Sequence, residues 1–392
     1  MTVVTNRRPS RASGARPDRL EVHESPAAAT VAVVLAHDYL TQRGGGERVA
    51  LELARHFPQA PLLTSIYERS TTFPDFAQRD VRASVLNRWK VFRRDPRRAF
   101  ALLAPVMSRM EVPEGVLLAS SSGWAHGLHA RGPKIVYCHN PARWLYQPDD
   151  YFRALPRPLR SALSAVMAPL RHWDRRAART VDVYLANSTS VARRIQEAYG
   201  VQARVLHPPA GIDPDGAREP VAGLEPGFLL TVGRRRGYKN TELVCRAVQA
   251  VEGARLVAVG GLPAGQEWSE RIRGVRDISD AQLRWLYANC SAVVAMSHED
   301  FGLSPVEGFA FGKPSIVLRA GGYLDSGLEG VSSVFVDRED APTLANALRH
   351  FDAAAFDADK IREHARRFSS VAFGSALRAV VAEVAAARAA GA

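Results

Sequence analysis

The chain has 392 residues, 46% of them hydrophobic, with 52 Lys and Arg against 40 Asp and Glu for a formal charge of +12. That length accommodates two domains of ordinary size, about 150 residues each, with a sizeable core. Its three cysteines, Cys138, Cys245 and Cys290, form no CxxC pair and no ligand spacing, which argues against a disulfide framework or a zinc site and fits a reducing cytosol.

Residues 1–30 are rich in Arg, Ser, Ala and Pro without an apolar stretch, and read as a disordered leader rather than a secretory signal. No apolar run approaches the ~20 residues of a membrane-spanning helix. From Val31 the run VAVVLAH predicts a buried strand, followed by the Gly-rich loop TQRGGGER and a helix over VALELARHF. GVLLASSS, KIVYCHN and VDVYLANST repeat the theme: an apolar run that ends in small or polar residues. Strands without polar alternation are the mark of a parallel sheet covered on both faces.

The segment HPPAGIDPDGAREPVAGLEPG, from His207, is Pro- and Gly-rich and reads as a linker. Beyond it the rhythm restarts: strands over FLLTVGR, RLVAVGG, AVVAMS and PSIVLRAGG, helices over NTELVCRAVQAV, DAQLRWLYANC and PVEGFAFG. The pattern predicts two doubly wound, Rossmann-like α/β domains facing each other across a cleft. The first covers 31–210, the linker 211–226 and the second 227–369, with a helix at about 370–392 expected to pack back on the first. Ligands of such sheets bind beyond the carboxyl ends of the strands.

Chemistry concentrates at those ends. In HEDFGLSPVEGFAFGKP, Glu299 and Glu307 are separated by seven residues. Ser304-Pro305-Val306-Glu307 has the form of a capping box, so Glu307 either ties the helix start or serves a ligand. A helix N-terminus suits a diphosphate, while a carboxylate beside it suits sugar or ribose hydroxyls. TVGRRRGYKN offers Arg234 and Lys239 as phosphate cations, with Arg235 and Arg236 read as solvated. Gly45 and Gly46 permit close approach of a ligand. His139, at the end of a strand in HNPARW, is a candidate polar or catalytic contact. Asp149 and Asp150 read as a solvated turn.

The motif EDFGLSPVE, together with VGR…YK, AHDYLTQRGGGERV, VYCHNPARWLY, LANSTSVARRI and HPP, resembles glycosyltransferase family 4, retaining enzymes of the GT-B fold. The likeness is greatest toward the mannosyltransferase-like branch of bacterial surface-glycan enzymes. It implies that Glu307 holds the donor's ribose, Glu299 its sugar, and Arg234 and Lys239 its diphosphate. Phe301, Gly302 and Leu303 would meet sugar and phosphate through their backbone, with Gly45 and Gly46 closing from the other domain. It further implies transfer with retention and without a metal, from GDP-mannose to a lipid-linked or glycan acceptor, at the cytoplasmic face of the cell membrane. A front-face route fits, because the first domain's loops offer no obvious carboxylate nucleophile. Gly123 stands where the branch often has His, Asn240 where Arg is common, and Asp325 where Glu is usual. A UDP-sugar donor and a non-catalytic sugar-nucleotide-binding homologue remain the alternatives. A nicotinamide-dependent dehydrogenase is disfavoured by the absence of GxGxxG with an acid ~20 residues on.

The positive charge is one-sided. Residues 31–210 hold 26 Lys and Arg against 14 acids, residues 211–392 hold 21 against 23, and the leader adds +2. An anionic partner is therefore expected for the first domain alone. NRWKVFRRDPRR (87–98) and RALPRPLRSALSAVMAPLRHWDRRAAR (153–179) join basic residues to apolar ones as interfacial helices do, which points to an anionic membrane surface. No nucleic-acid motif accompanies the charge.

Overall fold

The computed structural model describes residues 31–147, 157–233 and 239–390, with the backbone alone for 157–166. Arg234, Asp149, Asp150 and the leader 1–30 lie outside the described residues. Two sheets are present, and every ladder in both is parallel. The first is built from β1 (Val33–His37), β2 (Leu62–Thr64), β3 (Val81–Ala83), β4 (Val116–Ser121), β5 (Lys134–Cys138), β6 (Val183–Ala186) and β7 (Ala203–Val205), in the order β3-β2-β1-β4-β5-β6-β7. The second contains β8 (Phe228–Val232), β9 (Leu256–Val259), β10 (Ile272–Val275), β11 (Cys290–Ala295), β12 (Ser315–Leu318) and β13 (Ser333–Val336), in the order β10-β9-β8-β11-β12-β13. These are two doubly wound α/β domains.

The unbroken apolar runs follow from burial on both faces. All five residues of β1, all six of β4 and all five of β5 are buried. One face of the first sheet packs Val34, Leu117, Val136 and Tyr184 against Met107, Trp124 and Ile195, and the other packs Leu35, Leu118, Tyr137 and Leu185 against helix Gly45–His56. Helix Ser370–Ala390 closes that second face with Phe373, Leu377, Val380, Val381 and Val384. The stretch Ala358–Ala390 contains a window long and apolar enough to cross a membrane by composition alone, which corrects the expectation that no such run exists. Ile361, Ala365 and Phe368 of that stretch pack against the second domain's Phe301, Val306 and Phe309, the buried side chains from Phe373 to Val384 lie in the first domain's core, and Arg204 and Glu383 pair at the outer edge.

Strand order reverses beside β1 in one sheet and beside β8 in the other. In each sheet the next strand in sequence after the reversal, β4 or β11, lies directly alongside. Loops leaving adjacent strands there part in opposite directions and open a crevice at the carboxyl ends. The two crevices meet at the cleft between the domains.

Candidate functional site

From the first domain, His37 and Asp38 follow β1, Ser122 follows β4, and His139 follows β5; from the second, Gly233 and Lys239 follow β8, and Glu299 to Leu303 follow β11. All line one cavity of about 520 Å³ with Gly45, Gly46 and Glu307. Of the ten residues proposed from the sequence to bind or act on the donor, Arg234 alone is not placed in this gathering, being outside the described residues.

Helix Leu303–Ala310 starts differently from the expected capping box. Its N-cap is Gly302, in the left-handed region at φ 87, and no side chain caps it. Ser304 and Pro305 therefore sit inside the first turn, and Glu307 lies one turn further in. A Cβ at position 302 would come 2.2 Å from the Tyr323 ring, so only glycine fits this turn. Freed from the cap, Glu307 accepts a hydrogen bond at Oε2 from the buried Tyr287 hydroxyl at 2.5 Å. Burial and the adjacent carboxylate push the Tyr287 phenol well above its usual range, which keeps it a donor.

Glu299 is oriented by three neighbours. Ser297 donates to its Oε1 at 2.9 Å, Lys239 Nζ approaches the same oxygen at 2.7 Å, and Gly322 N–H holds the Glu299 carbonyl at 3.0 Å. Asp300, next in sequence, reaches across the cleft. Its two oxygens take Arg143 at 2.6 Å and Arg194 at 2.5 Å, both from the first domain. Asp325 makes a second crossing, accepting from Thr189 N–H at 3.0 Å and Thr189 hydroxyl at 2.5 Å. The buried ring of Phe301 stacks on His207 at 5.4 Å.

Gly45 and Gly46 are not a loop, as the sequence implied, but the first residues of helix Gly45–His56. Neither has a positive φ. A Cβ on Gly45 would stand 3.4 Å from Leu303 across the cleft, and one on Gly46 3.6 and 3.7 Å from His37 and His139, all ordinary contact distances. The cavity is thus met by two helix N-termini, from Gly45 and from Leu303, each with unpaired N–H groups and partial positive charge.

His139 belongs to a relay invisible in the sequence. Ser120 Oγ lies 2.8 Å from His139 Nε2 and 3.0 Å from His37 Nδ1. Burial lowers both imidazoles to about 4, and each is therefore neutral at pH 7. Asp38 and Glu47 are carboxylates of the first domain that the sequence reading passed over. Asp38 accepts at Oδ1 from Ser121 Oγ and from the N–H groups of Trp124 and Ala125, and at Oδ2 from Ser122 N–H. Gln42 donates to Glu47 at 2.8 Å.

The three departures also find places. Gly123 has φ +139, and a Cβ there would lie 2.8 Å from the Ala142 methyl, so this backbone excludes a histidine. His126 is buried 3.1 Å from Asp174, away from the cleft. Asn240, itself left-handed at φ 51, donates to the Met296 carbonyl at 2.8 Å and to Glu339, tying the end of the β8 loop to the end of β11.

Comparison with known proteins agrees with this architecture. The family described as Glycosyltransferase Family 4 matches residues 43–215, and Glycosyl transferases group 1 matches residues 226–351. The D-inositol 3-phosphate glycosyltransferase of Nocardiopsis dassonvillei is 31% identical over 191 residues, 40% of this chain and 44% of that protein. A second, from Acidothermus cellulolyticus, is 27% identical over 48% of this chain and 50% of its own length. The chain thus spans about half the length of the curated relatives it matches. Among solved structures, HepE of Anabaena in complex with UDP superposes with a TM-score of 0.64 at 15% identity, covering 90% of this chain and 100% of that one. Sucrose-phosphate synthase of Thermosynechococcus elongatus gives 0.66 at 17% identity, covering 91% and 100%. The fold is GT-B, and with one family match on each domain the chain belongs to the family 4 type of glycosyltransferases.

Proposed function

We propose that the protein transfers a hexose from a nucleotide sugar, mannose from GDP-mannose in the first instance, with retention of configuration. The acceptor is a lipid-linked or glycan chain in surface polysaccharide or glycolipid synthesis at the cytoplasmic face of the membrane. One observation carries the reading: Glu299 and Glu307 flank a bare helix N-terminus, with Lys239 on Glu299 and a second helix N-terminus opposite. A donor is itself sugar, diphosphate and ribose in a row. Glu307, with Oε2 committed to Tyr287, presents Oε1 to the ribose; Glu299 serves the sugar hydroxyls; the N–H groups and Lys239 serve the diphosphate.

In this mechanism charge develops on the leaving diphosphate as the glycosidic bond breaks. Lys239 and the helix N-terminus stabilise it without reorganisation, and Arg234 would add a second cation. The reading assigns this task to side chains and not to a metal. The leaving phosphate takes the acceptor proton. His139, neutral and hydrogen-bonded to Ser120, orients the sugar rather than storing a proton. Asp38, both of its oxygens tied by hydrogen bonds to the Ser122–Ala125 backbone, is a poor nucleophile, which favours the front-face route over a covalent one.

A second reading, a UDP-sugar donor, is favoured by the likeness to HepE, whose structures hold UDP and UDP-glucose. Thermal shift with a donor panel separates the two, since a ligand at a hundred times its Kd stabilises the fold by about 2.7 kcal/mol. Stabilisation by GDP-mannose and not by UDP-sugars supports the first; the reverse overturns it. Donor binding without slow nucleoside diphosphate release would leave a sugar-nucleotide-binding protein without transferase activity.

A further inference from the structure

Seven large apolar side chains stand exposed among the described residues, and four of them crowd into one short stretch of the first domain: Val85, Trp89, Val91 and Leu102, each 41–50% exposed. Exposed basic residues interleave with them: Arg88, Lys90, Arg94, Arg97 and Arg98. Asp95 is the only acid in the stretch, and it is paired with Arg97 at 2.8 Å.

The backbone there is a run of short turns, 3-10 at Val85–Arg88, helical at Lys90–Arg94, 3-10 again at Pro96–Ala99, leading into helix Phe100–Arg109. Leu86, Ala99 and Leu103 root it in the core. Arg93 fixes its base, bonding Glu68 at 3.1 Å and the Asn87 carbonyl at 2.6 Å, so this arginine is structural. Trp89 stands edge-on to Phe92 at 6.0 Å with half its surface in water. Nothing in the fold requires an exposed indole there.

The second basic stretch of the sequence behaves differently. Where its side chains are described, Met167, Leu170 and Trp173 pack into or against the core.

We propose that the Val85–Leu102 surface docks the first domain on an anionic lipid bilayer. Trp89, Val91 and Leu102 enter the boundary between headgroups and acyl chains, and Arg88, Lys90, Arg94 and Arg98 meet the lipid phosphates. Charge complementarity selects an anionic partner. The aliphatic side chains select a bilayer over a nucleic acid, which offers the indole a stacking face but leaves Val91 and Leu102 in water. The inference goes beyond glycosyl transfer and does not rest on it.

The test is flotation of the full chain with vesicles of phosphatidylcholine alone or mixed with phosphatidylglycerol, at low and high salt. One variant carries Arg88→Ser, Lys90→Ser, Arg94→Ser and Arg98→Ser with Arg93 kept; a second carries Trp89→Ser. Each lost charge should weaken partitioning to anionic vesicles about five-fold at low salt, with little left of the difference at high salt. Trp89→Ser should weaken it at every salt concentration. Because all five side chains are exposed, both variants should melt like the parent. Equal binding to neutral vesicles, or wild-type partitioning by either variant, overturns the proposal. So does duplex DNA displacing the protein from vesicles as readily from the Trp89→Ser variant as from the parent.

Discussion

Replacing Asp300 by Asn tests whether the cleft is assembled by a charge clamp between the domains. The carboxylate is 20% exposed and takes two guanidinium groups from different elements of the first domain, Arg194 at 26% exposure and Arg143 at 36%. Fully exposed pairs are worth at most about 1 kcal/mol each after solvent screening, and buried ones cost several when broken. About 2 kcal/mol for both is therefore a reasonable scale, or some thirty-fold in the equilibrium between closed and open domains. Asn keeps the volume and one acceptor oxygen but leaves two arginines facing each other. Because Glu299 adjoins Asp300, opening withdraws the sugar-side acid from Gly45 and Gly46, and apparent donor affinity falls with the closed fraction. The expected result is a donor KM raised up to thirty-fold and a larger radius of gyration by solution scattering. Wild-type KM should rise with salt while that of the variant stays flat. A double-mutant cycle with Arg194→Gln should be non-additive. Wild-type dimensions and KM in Asp300→Asn, or strict additivity, would refute the clamp.

Glu307→Gln retains an acceptor for Tyr287 but weakens any bond to ribose hydroxyls, so donor KM should rise about ten-fold with melting little changed; lost stability with unchanged kinetics would speak for a purely structural role. Tyr287→Phe strips Glu307 of its buried donor and should cost about 1–2 kcal/mol in denaturant unfolding. Lys239→Met should lower kcat by two to three orders of magnitude, roughly the scale for losing one preorganised charge-stabilising group, and a loss confined to KM would contradict that role. His37 and His139, lowered to about 4 against 6.5, bind fewer protons folded than unfolded between those values. Their contribution to stability, ~3 kcal/mol each at most, is complete above pH 6.5 and lost as pH falls toward 4. The combined variant His37→Asn with His139→Gln should flatten the fall in urea stability over that range.

Much of the fold was legible because parallel strands buried on both faces write themselves as apolar runs. VAVVLAH, GVLLASSS and KIVYCHN each contain the strand they predict. The strands passed over, Leu62–Thr64, Val81–Ala83, Ala203–Val205, Ile272–Val275 and Ser333–Val336, are three or four residues long and lie at or near the margins of their sheets, where no sustained pattern has room to form. EDFGLSPVE marked the site by motif, yet its local structure was misread. Ser-Pro-Val-Glu satisfies a capping pattern, but the left-handed turn at Gly302, tight against Tyr323, starts the helix two residues earlier. Tertiary packing overrode a local preference. The partners that orient the site were beyond any local reading: Tyr287 lies twenty residues from Glu307, and Arg143 lies 157 from Asp300.

Those long-range partners share a logic. Each ligand-facing group of the cleft has one side committed to the protein and another left toward the cavity. Glu307 gives Oε2 to Tyr287, Glu299 is braced by Ser297 and its own carbonyl by Gly322, and His139 gives Nε2 to Ser120. Groups fixed in this way need not reorganise when a ligand arrives, which is what electrostatic stabilisation in a closed site requires. Asp38 is the contrasting case. Three of its four donors converge on Oδ1 and one on Oδ2, and together they hold the Ser122–Ala125 turn beside the cavity. That turn carries Gly123, whose backbone excludes a histidine at that position. The histidines that reach the cavity come instead from the ends of β1 and β5, and both are neutral. In the reaction proposed above the substrates carry the proton between them, and the protein's task is to position them and to hold charge.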